Sequence, residues 1–220
     1  MSTASPQAYD SLVFSRGWQQ PLPVFCKRLF DVLTSAFLLA ALSPVLLLLA
    51  VMVRFTSPGP IFYRWKVVGR NGEPFTSYKF RSMVANADQL KASLEERNEM
   101  TGPVFKITND PRITVVGAWM RRYSLDELPQ LYSVLIGDMS LVGPRPPLVT
   151  EYVRFSAYQK QKLAVTPGMT CLWQTLGRNE VSDFDRWVAL DLQYIRDWSL
   201  GLDFKILYRT ARVVVAGSGK

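Results

Sequence analysis

The chain has no histidine among its 220 residues. That excludes Ser-His-Asp and Cys-His catalysis, His-ligated metals and a histidine pH switch. Cysteine is nearly absent. Cys26 and Cys171 are too few for a zinc site or a disulfide framework, and nothing indicates an oxidising compartment. Acid is in deficit: 18 Asp+Glu stand against 26 Lys+Arg, a net charge of +8. Such a balance suits an anionic partner, whether nucleic acid, a phospholipid surface or a phosphorylated substrate. No internal repeat, low-complexity tract or inter-domain linker is present. Hydrophobic residues at 48% and charged residues at 20% exclude global disorder, and the length suits one domain with a real core. Residues 1–24 carry Ser, Gln, Gly and the prolines Pro6, Pro21 and Pro23, and read as a flexible tail; 25–220 read as a single domain.

The longest absence is of charge. Val32 to Val53 carries no ionisable side chain and has the length of a membrane helix. It starts too far from Met1, and lacks a small-residue cleavage site, for an ordinary secretory signal. Ser43-Pro44 interrupts it, and proline removes a backbone hydrogen bond, so a kink is expected. At ~1.5 Å per residue each half is under ~20 Å, short of a ~30 Å hydrocarbon core. Both flanks are basic, with Lys27 and Arg28 before the run and Arg54, Arg64, Lys66 and Arg70 after it, where a spanning helix shows asymmetry. These features predict a re-entrant helix-break-helix hairpin over 30–54 that enters one leaflet and returns. An ordinary kinked span and a buried core helix stay open, although Leu46 to Leu49 leave the latter no polar face.

Beyond the Ser57-Pro-Gly-Pro60 breaker, Ile61 to Val68 and Phe75 to Arg81 read as strands around Asn71-Gly72, a strong hairpin signal. With that pair at the turn centre, Arg64 falls opposite Lys79, Lys66 opposite Ser77 and Phe62 opposite Arg81. Tyr63, Trp65, Tyr78 and Phe80 then gather on the other face. Asn86 to Asn98 reads as a surface helix, and Leu148 to Leu163 and Asp183 to Trp198 as further helices. Ile113 to Trp119 is a short strand or the start of a helix reaching Arg121-Arg122. Asp203 to Ala216 mixes Lys205, Arg209 and Arg212 with apolar residues, which suits a bilayer surface or terminal packing. The fold class is α+β, mostly helical, with a short β-hairpin and amphipathic surface helices.

Adjacent carboxylates Asp126 and Glu127 lie in Ser124-Leu-Asp-Glu-Leu-Pro-Gln130, just after Arg121 and Arg122. One reading is a capping box, Ser-x-x-Glu, at a helix start; Pro129 fits better with Asp126 as the cap, and either choice fixes the pair at a helix N-terminus. In Gly143-Pro-Arg-Pro-Pro147, prolines hold Arg145 in stiff extended backbone, suited to bidentate phosphate recognition or simply an exposed turn. Thr166-Pro-Gly168 leads to a second arginine loop, Gly177-Arg-Asn-Glu180. Together these residues suggest phosphoryl transfer at a membrane surface, with hard oxygen ligands for Mg²⁺, cations for phosphates and a carboxylate able to act as nucleophile.

Taken in order, Lys27-Arg-Leu-Phe-Asp31, Ser43-Pro44, Lys79-Phe-Arg-Ser-Met83, Ser124 to Gln130, Gly143-Pro-Arg-Pro146 and Thr166-Pro-Gly168 through Gly177-Arg-Asn179 resemble the bacterial sugar transferase family, the monotopic phosphoglycosyl transferases of surface-polysaccharide initiation. The resemblance covers roughly Lys27 to Ala216, and corresponds to the minimal form without the extra N-terminal membrane domain of larger relatives. It implies a re-entrant membrane helix and a cytosolic catalytic domain at the bacterial inner membrane. It implies transfer of a sugar 1-phosphate from a UDP-sugar to polyprenyl phosphate, with Mg²⁺ and release of UMP. By motif, Asp126 would be the nucleophile that takes the phosphosugar, and Glu127 would help hold the metal with it or assist the proton and charge balance. Lys79, Arg81, Arg121 and Arg145 would grip phosphates; Arg178 and Asn179 would touch the donor. Cys171 stands where the family usually has glycine. Partners are then the donor, the lipid acceptor and one leaflet of lipid, with no nucleic acid; a homodimer is left open. The competing readings are direct transfer with Asp126 as metal ligand only, and a membrane-anchored scaffold without chemistry.

Overall fold

The computed structural model describes residues 14–175 and 182–217, and the fold is a mixed α/β arrangement dominated by helix. Helix α1 (Pro21–Ala41) starts with proline in its first turn, where a missing N–H costs nothing. It is followed after Leu42 by α2 (Ser43–Thr56), at a bend of 63°. Pro44 explains the break: it cannot donate to the preceding turn, and Ser43 Oγ instead bonds Ala40 O at 2.8 Å. No single described helix is long and apolar enough to cross a membrane, but this bent pair meets the length and composition together.

The two faces of α1 differ sharply. Lys27, Asp31 and Ser35, spaced by four, are buried. Lys27 Nζ lies 2.7 Å from Asp203 and 2.9 Å from Val142 O, and Asp31 accepts from Leu141 N at 3.0 Å. The opposite stripe of Leu22, Phe25, Leu29, Leu33 and Phe37 is exposed, and Leu47, Leu48, Val51 and Phe55 of α2 extend it. On its inner side α2 buries Leu49 and Val53 against Phe80 and Met120, each worth about 1.5–3 kcal/mol.

Strands β1 (Phe62–Val68) and β2 (Pro74–Phe80) form the antiparallel hairpin that the sequence predicts. The register differs by one residue. Phe62 pairs with Phe80, Arg64 with Tyr78 and Lys66 with Thr76. The connection is not a two-residue turn: Gly69 N donates to Glu73 O at 2.7 Å, and Asn71 and Gly72 both take positive φ, 59° and 85°. A one-residue shift exchanges the faces of one strand relative to the other. Cations and aromatics therefore interleave instead of segregating, and Lys79 Nζ lies 4.2 Å from the centre of the Trp65 ring.

Segment 86–98 is not one helix but α3 (Ala87–Leu90) followed by the 3-10 segment Ala92–Arg97. Residue Ile113 bridges Met83, and Thr114 then caps α4 (Val115–Arg122) by accepting from Gly117 N at 3.0 Å. After α5 (Gln130–Ile136) and β3 (Ser140–Val142), the expected helix 148–163 is broken into α6 (Val149–Tyr152) and α7 (Ala157–Lys160). The cause is local: Ser156 and Gln159 form a capping box that starts a new helix. Strand β4 (Gly168–Thr170) pairs parallel to β3, and α8 (Phe184–Asp197) and α9 (Leu200–Val215) complete the chain. The main core gathers Trp173, Tyr194, Ile195, Leu131, Val134 and Ile206, joining α5, α8 and α9.

Candidate functional site

The carboxylate pair occupies the 3-10 turn Leu125–Glu127, between α4 and α5. Ser124 sits at φ 53° with no side-chain cap, and α5 begins only at Gln130, after Pro129. The capping box is therefore not formed, and the acids are not at the start of a regular helix. Glu127 turns to Lys79 instead, with Nζ 2.7 Å from Oε1. Strand β2 supplies this lysine, and the Trp65 ring beneath it directs the ammonium. Asp126 is only 6% exposed.

Asp126, Glu127, Lys79, Arg121 and Arg145 line a single cleft of about 810 Å³. Arg121 comes from the last turn of α4, and its Nε donates to Ser82 Oγ at 2.9 Å. Arg145 lies over the Trp187 ring at 6.0 Å, and Trp187 stacks on Trp173 at 4.0 Å. Arg81 also lines the cleft, but it is 5% exposed and its Nη2 bonds Ser57 O at 2.6 Å, Ser57 Oγ at 2.9 Å and Val53 O at 3.3 Å. It straps the end of α2 to the cleft floor. Arg178 and Asn179 lie outside the described residues.

Two glycines set where Arg145 stands. Gly143 N donates to Thr170 O, and Gly168 N donates to Pro144 O at 2.9 Å, so the Gly-Pro-Arg-Pro and Thr-Pro-Gly stretches run backbone to backbone. A Cβ on Gly168 would fall 2.0 Å from Gly143 N, and one on Gly143 2.6 Å from Thr166 O. Only a residue without a side chain permits this approach. Gly168→Ala is expected to push the Arg145 loop off its seat at a cost of about 1–3 kcal/mol. Thermal melting reads the loss, and an unchanged melting point would contradict the close packing.

Sequence reasoning missed several lining groups. Ser82 and Gln130 stand inside the quoted motifs without a role, while Asp110 and Arg112 belong to none of those motifs. Arg112 bonds Asp110 at 2.6 Å and Ala87 O at 3.1 Å, tying the segment around α3 to the cleft. Burial pushes the Asp110 carboxyl up, but the Arg112 hydrogen bonds and charge outweigh it and hold the group below its usual range. A lowered carboxylate stabilises the fold above its unfolded pKa of ~3.9, and that share is lost as pH falls through the folded value. A lower protection factor against hydrogen exchange at Val84 N, which bonds Arg112 O, is expected below pH ~4; a protection factor there that is flat with pH would contradict the assignment. On the far side of the site, Lys162 and Asp191 form a buried pair at 2.5 Å. Burial raises the Asp191 carboxyl, and the positive charges of Lys162 and Arg145 pull it back.

Among the described residues no group of three or more Asp, Glu, Cys or His is placed to hold a metal. The pair Asp126 and Glu127 nevertheless fits Mg²⁺, which takes one or two carboxylates and completes its shell with phosphate oxygens and water. Chemically the cleft offers hard oxygen donors, cations from several elements and a carboxylate withdrawn from bulk water.

Comparison with known proteins gives a family match described as Bacterial sugar transferase over residues 22–217. The galactosyl transferase CpsE of Streptococcus agalactiae is 44% identical over 213 residues, covering 97% of this chain and 47% of that protein. The undecaprenyl-phosphate galactose phosphotransferase of Salmonella typhimurium is 44% identical over 199 residues, 89% of this chain and 41% of that protein. The exopolysaccharide production protein ExoY of Sinorhizobium fredii is 41% identical over 204 residues, 91% of this chain and 90% of that protein. The chain thus spans under half the length of the first two relatives and matches nearly all of the third.

Proposed function

This chain belongs to the bacterial sugar transferase family, and we propose on that premise that it transfers a sugar 1-phosphate from a UDP-sugar to polyprenyl phosphate, releasing UMP. The observation that carries the reading is one cleft in which the buried Asp126 shares its walls with Lys79, Arg121 and Arg145, at the foot of a bent apolar helix pair. Relatives are named for undecaprenyl phosphate with galactose and with glucose, and for exopolysaccharide production.

The helix pair enters one leaflet and returns. Its two ends are tied to the same domain, α1 through Lys27 and Asp203 and α2 through Arg81 and Ser57, which supports re-entry over a span. The exposed stripe from Leu22 to Phe55 faces lipid, and α9 lies at the surface with Tyr208 and Val215 outward among its arginines. The site is then at the cytoplasmic face of the inner membrane, where a soluble donor meets a lipid acceptor.

In the first step an Asp126 oxygen attacks the phosphorus that bears the sugar. The bond from that phosphorus to the bridging oxygen breaks, and UMP leaves with the oxygen and its electron pair. In the second step a phosphate oxygen of the acceptor attacks the aspartyl phosphosugar; the diphosphate-linked lipid forms and the Asp126 carboxylate returns. Lys79, Arg121 and Arg145 hold the phosphates and offset charge in both steps. Mg²⁺ held by Asp126 and Glu127 would supply further neutralisation of the diphosphate.

The test is a panel of UDP-sugars with undecaprenyl phosphate and the purified protein, read as UMP release. At least one donor should give Mg²⁺-dependent turnover; release with none would overturn the reading and favour a scaffold. Lys79→Met should lower turnover by roughly 10²-fold or more, because it removes a phosphate cation and the ion pair to Glu127. Unchanged kinetics in this variant would remove Lys79 from the site.

A further inference from the structure

The reacting cleft does not end at its charged centre. It continues past Pro60, Phe62 and Tyr63 into a second, shallower depression lined by those three residues with Ile61, Arg64 and Tyr78. We propose that this depression at the open end of the hairpin is the groove for the isoprenoid chain of the acceptor, an inference that rests on the function proposed above.

Four observations carry it. First, the groove is aromatic and exposed where exposure is expensive: Phe62 is 45% and Tyr63 39% exposed, and Tyr132, which meets Tyr78, is 49% exposed. Second, it is rigid. Phe62 stacks on Phe80 at 5.3 Å, and Phe80 is buried against Leu49 and Val53 of α2, while Tyr78 meets Tyr132 edge-on at 6.3 Å. Third, its position follows from the chain. Strand β1 begins six residues after α2 ends at Thr56, and the Arg81 bonds to Ser57 and Val53 fix that junction. The last turns of α2 expose Val51 and Phe55, so the groove opens where apolar helix gives way to polar domain. Fourth, the first cavity sets several cations and carboxylates among its apolar residues, whereas the second has no carboxylate and Arg64 as its one charged lining residue.

A ligand that occupies both must be a phosphate at one end and a hydrocarbon at the other. The phosphate has to reach Lys79 and Asp126 to react. A phosphomonoester on a single chain can do so with its chain laid over the rings. A bilayer phospholipid carries its phosphate as a diester beneath two acyl chains. Methyl-branched isoprene units suit the flat faces of Phe62 and Tyr63, and Arg64 is exposed at the groove edge, beside the lipid phosphates.

The wild-type protein in nanodiscs of phosphatidylethanolamine and phosphatidylglycerol can be labelled with a polyprenyl phosphate carrying a diazirine on its first isoprene unit. Label is expected on 60–64 and Tyr78, displaced by undecaprenyl phosphate and not by extra phosphatidylglycerol. Label confined to α1 and α2, or displacement by both lipids alike, overturns the groove. Phe62→Ser removes one buried contact with the chain and should raise the KM for undecaprenyl phosphate about tenfold, with a smaller rise for geranyl phosphate; equal rises for the two acceptors overturn the groove. Tyr78→Ala, which leaves the Phe62–Phe80 stack in place, provides the same comparison if Phe62→Ser does not fold. Labelling needs no turnover, so correct labelling without UMP release rejects the function alone, and turnover with label elsewhere rejects the groove alone.

Discussion

Asp126→Asn is expected to abolish UMP release and the covalent phosphosugar adduct together. The amide matches the carboxylate in shape, so the 3-10 turn and its burial should survive. What is lost is the anionic oxygen able to attack phosphorus and later leave it. Loss of a covalent nucleophile is felt at roughly 10⁴-fold or more in turnover. The measurement is rapid-quench UMP release from a UDP-sugar without acceptor, with label transferred to protein in parallel. Normal turnover in the variant removes Asp126 as nucleophile. Loss of turnover in the variant, together with sequential rather than ping-pong kinetics in the wild-type protein, selects direct transfer, with Asp126 as metal ligand. Glu127→Gln separates the two acids: it breaks the ion pair with Lys79 but keeps the attacking oxygen. Its first-step rate should fall while some adduct still accumulates.

Asp203→Ala is expected to give the largest loss of stability. Asp203 accepts from Lys27 Nζ at 2.7 Å, Tyr194 OH at 2.8 Å and Trp198 Nε1 at 3.1 Å. Burial and the neighbouring carboxylate both push the Tyr194 phenol upward, so it remains a donor throughout the usual pH range. Truncating the acid leaves the Lys27 ammonium inside the protein with only Val142 O as partner among the bonds described. Breaking one side of such a buried pair costs about 3–5 kcal/mol. At ~2–4 °C per kcal/mol for a chain of this size, that is a fall on the order of 10 °C in Tm. The double variant Lys27→Met with Asp203→Asn should recover part of the loss, because the Lys27 ammonium is then no longer stranded. A single variant that melts within about 1 °C of wild type would show that α1 is not held by this pair. The same contact fixes the base of the apolar helix pair to β3 and α9.

Some of this was legible in residue order. Proline at position 44 inside an uncharged run dictates a bend, and the bend is present between Ala41 and Ser43. The hairpin was visible from Asn71-Gly72, and Asp183 before an apolar-periodic stretch marked the start of α8, where it accepts from Asp185 N. The hairpin register was not visible. Gly69 also joins the turn, and that adds length which the Asn-Gly signal does not encode. The Leu148 to Leu163 segment showed helical periodicity, but Ser156 and Gln159 outcompete continuation by capping each other. The acids at 126 and 127 were found by type, while their role as a capping box dissolved because Lys79, distant in sequence, takes Glu127.

The sequence by itself determined the chemistry available: no histidine, an excess of cations, one uncharged run with a proline in it, and two adjacent acids. These are properties of composition and local order, and short-range sterics and charge are enough to express them. Tertiary structure decided which of those groups meet. It alone brought β2, the 125–127 turn, α4 and the Pro-Arg-Pro loop to one cleft, and it buried Lys27 with Asp203 across 176 positions of chain. The reason is that long-range pairing is settled by burial. Each charged group taken from water must find its partner among whatever the packing of apolar faces brings near, and residue spacing carries no record of that choice.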